Sequence, residues 1–139
     1  MSTQAEQAIV ETVRRRHPDV QAVYLYGSFG TAHERPDSDV DIAVLLPPAE
    51  ARDLPAEARL DLAADLNEAL HRDIDLVNLR RVNVVLQKEV VMAERRIHTA
   101  DRYGAEEFEM HVLSRYQKLN EERREILAEG LRTGSFVGE

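Results

Sequence analysis

The chain contains no cysteine, which removes disulfides and every thiolate metal site, zinc held by cysteine included, and suits a reducing cytoplasm. No apolar run approaches the roughly 20 residues that a membrane-spanning helix needs. The segment from Met1 to Gln7 has neither the basic nor the apolar region of a secretory signal. The expectation is a soluble, cytoplasmic protein with no membrane partner. Positive charge is also scarce, with 18 Lys and Arg against 26 Asp and Glu and a formal net charge of −8. Contacts to nucleic-acid phosphates need clustered Lys and Arg, so direct DNA or RNA binding is not expected. A nucleotide brought in with magnesium is compatible with the same balance. The short basic runs Arg14-Arg15-Arg16, Arg80-Arg81 and Arg95-Arg96 read as solvated helix ends and are not carried as sites. The histidines, His17, His33, His71, His98 and His111, show no metal-ligand spacing.

There is no internal repeat, low-complexity tract or long linker, and 139 residues suffice for one domain with its own core. Residues 1–104 read as that core. Residues 105–139 read as a C-terminal helix and tail, part of the same domain or partner-binding. From Thr3 to Arg16 the apolar residues Ala5, Ile9 and Val13 recur every fourth position, with Glu6 early and arginines late, as a helix macrodipole prefers. Ala22 to Tyr26 and Asp39 to Leu46 are β-branched and apolar runs that read as strands. Gly27-Ser28 is expected to open a short helix, broken by Arg35-Pro36-Asp37. Pro47-Pro48 to Pro55 reads as a loop. Ala58, Leu62, Leu66 and Leu70 mark a helix from Pro55 to His71, and Asp73 to Val77 alternates as a third strand. From Val82 the pattern favours a helix, with a strand as the alternative. Arg95 to Thr99 is a candidate edge strand. Ala105 to Glu129 forms a long helix with Phe108, Val112, Tyr116, Leu119, Ile126 and Leu127 on one face and Gly130 as its stop. The class is α/β (α+β): a small sheet with helices packed mainly on one face and a long C-terminal helix.

One stretch carries the chemistry. Gly27 and Ser28 end the first strand, and after ten intervening residues come Asp39 and Asp41, two apart at the start of the second strand. Side chains two apart on a strand share a face, about 7 Å apart at the Cα atoms, so the two carboxylates project together while Val40 and Ile42 enter a core. Two co-facial carboxylates plus a third on another strand are what two-metal phosphoryl or nucleotidyl transfer requires, since Mg²⁺ takes hard oxygen ligands and two ions can serve the attacking and leaving oxygens. Asp75 is chosen as the third over Asp73, because Ile74, Leu76 and Val77 bracket it within its strand. Gly27 lacks a Cβ that would obstruct a triphosphate, and the amide and hydroxyl of Ser28 can donate to its phosphates at a helix end. Either half alone is weak, since Gly-Ser and Asp-x-Asp are common in turns; together they form a constellation.

Gly27-Ser28-x10-Asp39-x-Asp41, with Ser38 before it, resembles the signature of the DNA polymerase β-type nucleotidyltransferase superfamily. The short chain is similar to the minimal nucleotidyltransferases, especially the MntA-type antitoxins of HEPN/MNT toxin–antitoxin modules. The resemblance is sharp from Val23 to Val77 and loose afterwards. It implies a nucleotidyltransferase fold with a mixed sheet, Mg²⁺ as cofactor in two ions, ATP as donor, and transfer of AMP to a tyrosine hydroxyl of a separate HEPN toxin chain, silencing its RNase activity. It implies Asp39, Asp41 and Asp75 as catalytic and metal-holding residues, with Gly27 and Ser28 binding nucleotide. The chain departs from the Gly-Ser-x-Ala-Arg-Gly pattern of many relatives: Gly30-Thr31-Ala32 stand where the alanine, arginine and second glycine are expected, which puts in doubt how the phosphate-holding half meets its ligand. Two alternatives remain open at this point: a small-molecule (aminoglycoside-like) nucleotidyltransferase, and a non-catalytic antitoxin that neutralises by binding. Tyr24 and Tyr26 share a face and read as sheet-face packing rather than as an adenine platform.

Overall fold

The computed structural model describes residues 3–133. Its elements run α1 (Gln4–Arg16), β1 (Ala22–Tyr26), β2 (Val40–Leu45), α2 (Pro48–Asp53), α3 (Ala56–Leu70), β3 (Ile74–Asn78), a 3-10 turn (Leu79–Arg81), α4 (Val84–Met92), β4 (Arg96–Thr99) and α5 (Arg102–Thr133). The strands form one sheet in the order β3-β2-β1-β4. β1 is antiparallel to both β2 and β4, whereas β2 and β3 are parallel. The sheet is therefore mixed, as expected, and the α2–α3 segment makes the crossover that a parallel pair needs.

Strand periodicity sorts the core. Val23 and Leu25 of β1, with Val40, Ile42 and Val44 of β2, face Ile9 and Val13 of α1 and Leu62 and Leu66 of α3. This is the expected helical cover, and Val40 and Ile42 are fully buried in it. Ala22, Tyr24 and Tyr26, with Ala43 and Leu45, face the other way, where Leu79, Val90 of α4 and Ala105, Phe108 and Val112 of α5 form a second layer. That second layer was not placed from the sequence.

Three local expectations are corrected. No helix follows Gly27-Ser28: Gly30 sits at φ +77, in the left-handed region, and the chain folds through successive turns in which the Thr31 amide donates to the Ser28 carbonyl and the Glu34 amide to the Thr31 carbonyl. Pro47-Pro48 to Pro55 is not a loop throughout but contains α2, because Pro48 lies at the first helical position, where its missing N–H costs nothing. Gly130 does not stop α5, which continues to Thr133. The remaining elements match in type, with ends displaced by a few residues; the region from Val82 is a helix and Arg96–Thr99 is an edge strand. The end of the expected 105–139 unit, residues 134–139, lies outside the described residues.

Candidate active site

Three strands bring the functional side chains to one end of the sheet. β1 finishes there at Tyr26, and β2 and β3 begin there. In the register Tyr26 pairs with Asp41, and Asp41 with Asp75. Three side chains on adjacent strands, directly opposite one another, share a face. Asp39 enters from the residue just before β2 and is exposed, as is Asp75, whereas Asp41 is partly buried. Burial, then the neighbouring charge of Asp75, then that of Asp39 push the Asp41 carboxyl up to about 6. Like charges brought together resist ionisation, and a cation between them relieves the repulsion. Burial and the charges of Asp75, Asp41 and Glu89 also raise the Tyr26 phenol. Asp73 is exposed and lies outside β3; its carbonyl accepts the Val40 amide.

Among the described residues no three His, Cys, Asp or Glu side chains already stand as a closed ligand set. The Asp41 and Asp75 carboxyl groups lie within hydrogen-bonding reach of each other, and Asp39 is exposed beside them. The donor set nevertheless fits a hard divalent cation, because it offers only oxygen and its members are close enough to perturb Asp41.

Gly27 joins the two halves of the site. Its φ is +75, and a Cβ there would collide with the Asp41 carboxylate. The requirement is therefore tighter than the open approach to a phosphate expected from the sequence: the glycine also makes room for the acid itself. Ser28 is partly buried, and its Oγ donates to Ser38 Oγ at 3.4 Å, while Ser38 Oγ accepts the Arg35 amide at 3.0 Å. The helix end expected to hold phosphates at Ser28 is absent, so whatever binding this segment offers comes from the amides and hydroxyls of a turn.

Two arginines that the sequence reading did not carry hold that turn. Arg95 Nη2 donates to the Phe29 carbonyl at 2.6 Å and Nη1 to the Gly27 carbonyl at 3.4 Å. Arg72 donates to the Ser38 carbonyl at 2.6 Å and the Arg35 carbonyl at 3.2 Å, and lies 5.2 Å from the centroid of the Phe29 ring. A bond to a carbonyl demands no particular residue type at the acceptor, so no motif announces these partners. Tyr24 packs in the core as read, 2% exposed, and its hydroxyl donates to Glu109 of α5 at 2.6 Å.

The polymerase β nucleotidyltransferase domain model matches residues 7–103. The protein adenylyltransferase MntA of Shewanella oneidensis is 36% identical over 122 residues, spanning 88% of this chain and 84% of that protein. A chain of a toxin–antitoxin crystal structure with AMP-PNP is 34% identical, with a TM-score of 0.76, over 91% of this chain and 98% of its own length. A structure of tri-AMPylated Shewanella oneidensis HEPN toxin in complex with MNT antitoxin contains a chain 34% identical, with a TM-score of 0.72, over 91% and 96% of the two lengths.

Proposed function

The chain belongs to the polymerase β nucleotidyltransferase family, and from that premise we propose that it is a Mg²⁺-dependent adenylyltransferase that moves AMP from ATP to a tyrosine hydroxyl of a cognate HEPN RNase toxin, acting as its antitoxin in the cytoplasm. The observation that carries the reading is the convergence of Asp39, Asp41 and Asp75 beside the Gly27 turn, with Asp41 pushed up to about 6 by burial and its two neighbours. The likeness to MntA and to a complex holding an AMPylated HEPN toxin supports the donor and the partner class.

In this reading Asp39, Asp41 and Asp75 would hold the two magnesium ions. When bound, the ions supply charge neutralisation for the attacking and leaving oxygens. The acceptor hydroxyl oxygen forms a bond to the α-phosphorus, the bond from that phosphorus to the β-bridging oxygen breaks, and pyrophosphate leaves. In this reading Asp75 takes the hydroxyl proton. Gly27 and Ser28 line the approach of the triphosphate.

The test replaces both Asp39 and Asp41 by Asn, which keeps size and removes charge. Wild type incubated with Mg²⁺-ATP and the toxin should add mass to the toxin in units of AMP, and the double variant should add it at least about 10³-fold more slowly, as expected when the groups that stabilise transition-state charge are removed. Full neutralisation of the toxin by the double variant would show that contact alone suffices and that modification is not the mechanism.

A further inference from the structure

The Arg95 side chain reaches across from the start of β4 and takes both the Gly27 and the Phe29 carbonyls. Three features aim it there. Glu94 sits at φ 55, which turns the chain sharply out of α4. The β1–β4 register shifts between Val23 and Tyr24, which re-aims the start of β4. The Arg95 carbonyl accepts the Leu25 amide at 2.9 Å, which anchors the residue's own backbone to β1. Gly30 then leaves room for the guanidinium, since a Cβ there would lie 2.9 Å from Arg95 Nη2.

In a trans peptide the carbonyl of one residue and the N–H of the next point in opposite directions, and the chain has no cis peptide among its described residues. Drawing the carbonyls of residues 27 and 29 toward Arg95 therefore turns the amides of Ser28 and Gly30 to the far side. On that side an anion is already present: the Gly30 amide donates to Glu34 Oε1 at 3.0 Å, and the same oxygen lies 4.0 Å from Arg72 Nη1. The carboxylate occupies a place made by a backbone N–H and an arginine, a combination that also suits a phosphate oxygen.

We propose that Arg95 is the positioning residue of the nucleotide-holding turn, fixing two peptide planes so that the Ser28 and Gly30 amides meet the triphosphate of ATP, which displaces the Glu34 carboxylate from Gly30. This rests on the transferase reading above for the identity of the ligand. It also accounts for how a chain lacking the arginine of the Gly-Ser-x-Ala-Arg-Gly pattern rigidifies the turn: the guanidinium comes from the residue before β4 instead.

The test measures Mg²⁺-ATP binding to the full chain by calorimetry, alongside steady-state transfer to the toxin, for wild type, Arg95→Ala, Arg95→Lys and Gly30→Ala. Arg95→Ala should weaken ATP binding and raise the KM for ATP about tenfold, leaving the KM for the toxin within about twofold, as loss of an aligned pair of hydrogen bonds requires. Arg95→Lys should recover only part of this, because one ammonium cannot bridge two carbonyls as a planar fork does. Gly30→Ala, which displaces the guanidinium, should resemble Arg95→Ala, and with the Lys variant it decides the matter if Arg95→Ala does not fold. ATP binding by Arg95→Ala within twofold of wild type overturns the proposal, as does Arg95→Lys equal to wild type, which would mean that charge alone is needed. Wild type that binds ATP but modifies no toxin sinks the transferase reading and leaves Arg95 judged by the binding arm. Wild type that binds no ATP sinks both.

Discussion

Asp75 and Asp73 are two apart on one edge of the same segment, and only their placement separates them. Asp75 lies within β3, opposite Asp41 in the parallel register, and its charge is the second largest cause of the raised Asp41 carboxyl. Asp73 precedes the strand, and its backbone, not its side chain, meets β2. Asp75→Asn should therefore lower kcat for AMP transfer about 10²–10⁴-fold, the range expected when a group that manages the acceptor proton is lost. Asp73→Asn should leave kcat within about threefold. Equal losses in the two variants, measured by the rate of AMP incorporation, would return the choice to Asp73. Gly27→Ala is the complementary change. The left-handed backbone costs about 1–2 kcal/mol for a residue with a Cβ, and the new methyl must also push the Asp41 carboxylate away. We expect a lower melting temperature together with loss of transfer, whereas Ser28→Ala, which removes only a hydroxyl with a long bond to Ser38, should leave the melting temperature near that of wild type.

At the scale of elements, what was legible in the sequence depended on whether periodicity or tertiary contact set the outcome. Ile9 and Val13 of α1, Leu62 and Leu66 of α3 and the apolar runs of β1 and β2 announce themselves, because each buries a repeating face. The side Asp41 faces was legible for the same reason, since a period of two fixes it, whereas Asp39 lies just before β2, which begins at Val40, and is near enough to act on Asp41. The turn after Ser28 was not: its shape is set by Gly30 at φ +77 and by Arg72 and Arg95, which come from distant parts of the chain. Helix α2 was hidden because consecutive prolines look like a break, although Pro48 is well placed to start a helix and Asn78 of β3 donates to the Ala51 carbonyl at 2.8 Å. The start of α5 offers a prediction of its own. Asp101 Oδ1 accepts the Gly104 amide at 2.9 Å, and Oδ2 accepts the Gln21 side-chain amide at 2.8 Å, so one carboxylate both caps the helix and ties it to the residue before β1. These bonds, Gly104 first and Gln21 second, hold the Asp101 carboxyl below its ordinary value. A depressed carboxyl stabilises the fold above its unfolded pKa of about 4 and loses that contribution as pH falls through its folded value. Asp101→Ala should lower stability in urea unfolding at pH 7, Asp101→Asn less, and the gap between wild type and Asp101→Ala should narrow in acid below about pH 4.

Across the whole molecule, the body and α5 answer to different demands. The sheet, the helices on its two faces and the first three turns of α5 share two clusters of buried side chains, and among the described residues Val112 is the last buried side chain of α5. Up to that point the helix is fastened, since Tyr24 and Arg96 both donate to Glu109 Oε2, at 2.6 and 2.7 Å, and one turn further Arg115 Nη2 reaches Gln87 of α4 at 3.2 Å. Beyond it the helix runs on to Thr133, about 30 Å further at 1.5 Å per residue. Of its apolar residues there, Leu113, Ile126, Leu127 and Leu131 are at least 40% exposed, while Tyr116 and Leu119 are half-buried. A helix that buries little gains little from packing and is costly to keep helical, which favours a role in docking over a role in the fold. Truncation after Lys118 should therefore change unfolding free energy by no more than about 1 kcal/mol, the range of substitutions away from a core, and should leave ATP binding intact while weakening the complex with the toxin at least about tenfold. A large loss of stability in urea, with toxin affinity unchanged, would instead make the distal helix part of the folding unit. The two outcomes are separable in one preparation, because ATP binding reports the sheet end, where Asp39, Asp41 and Gly27 lie, and the toxin titration reports the helix.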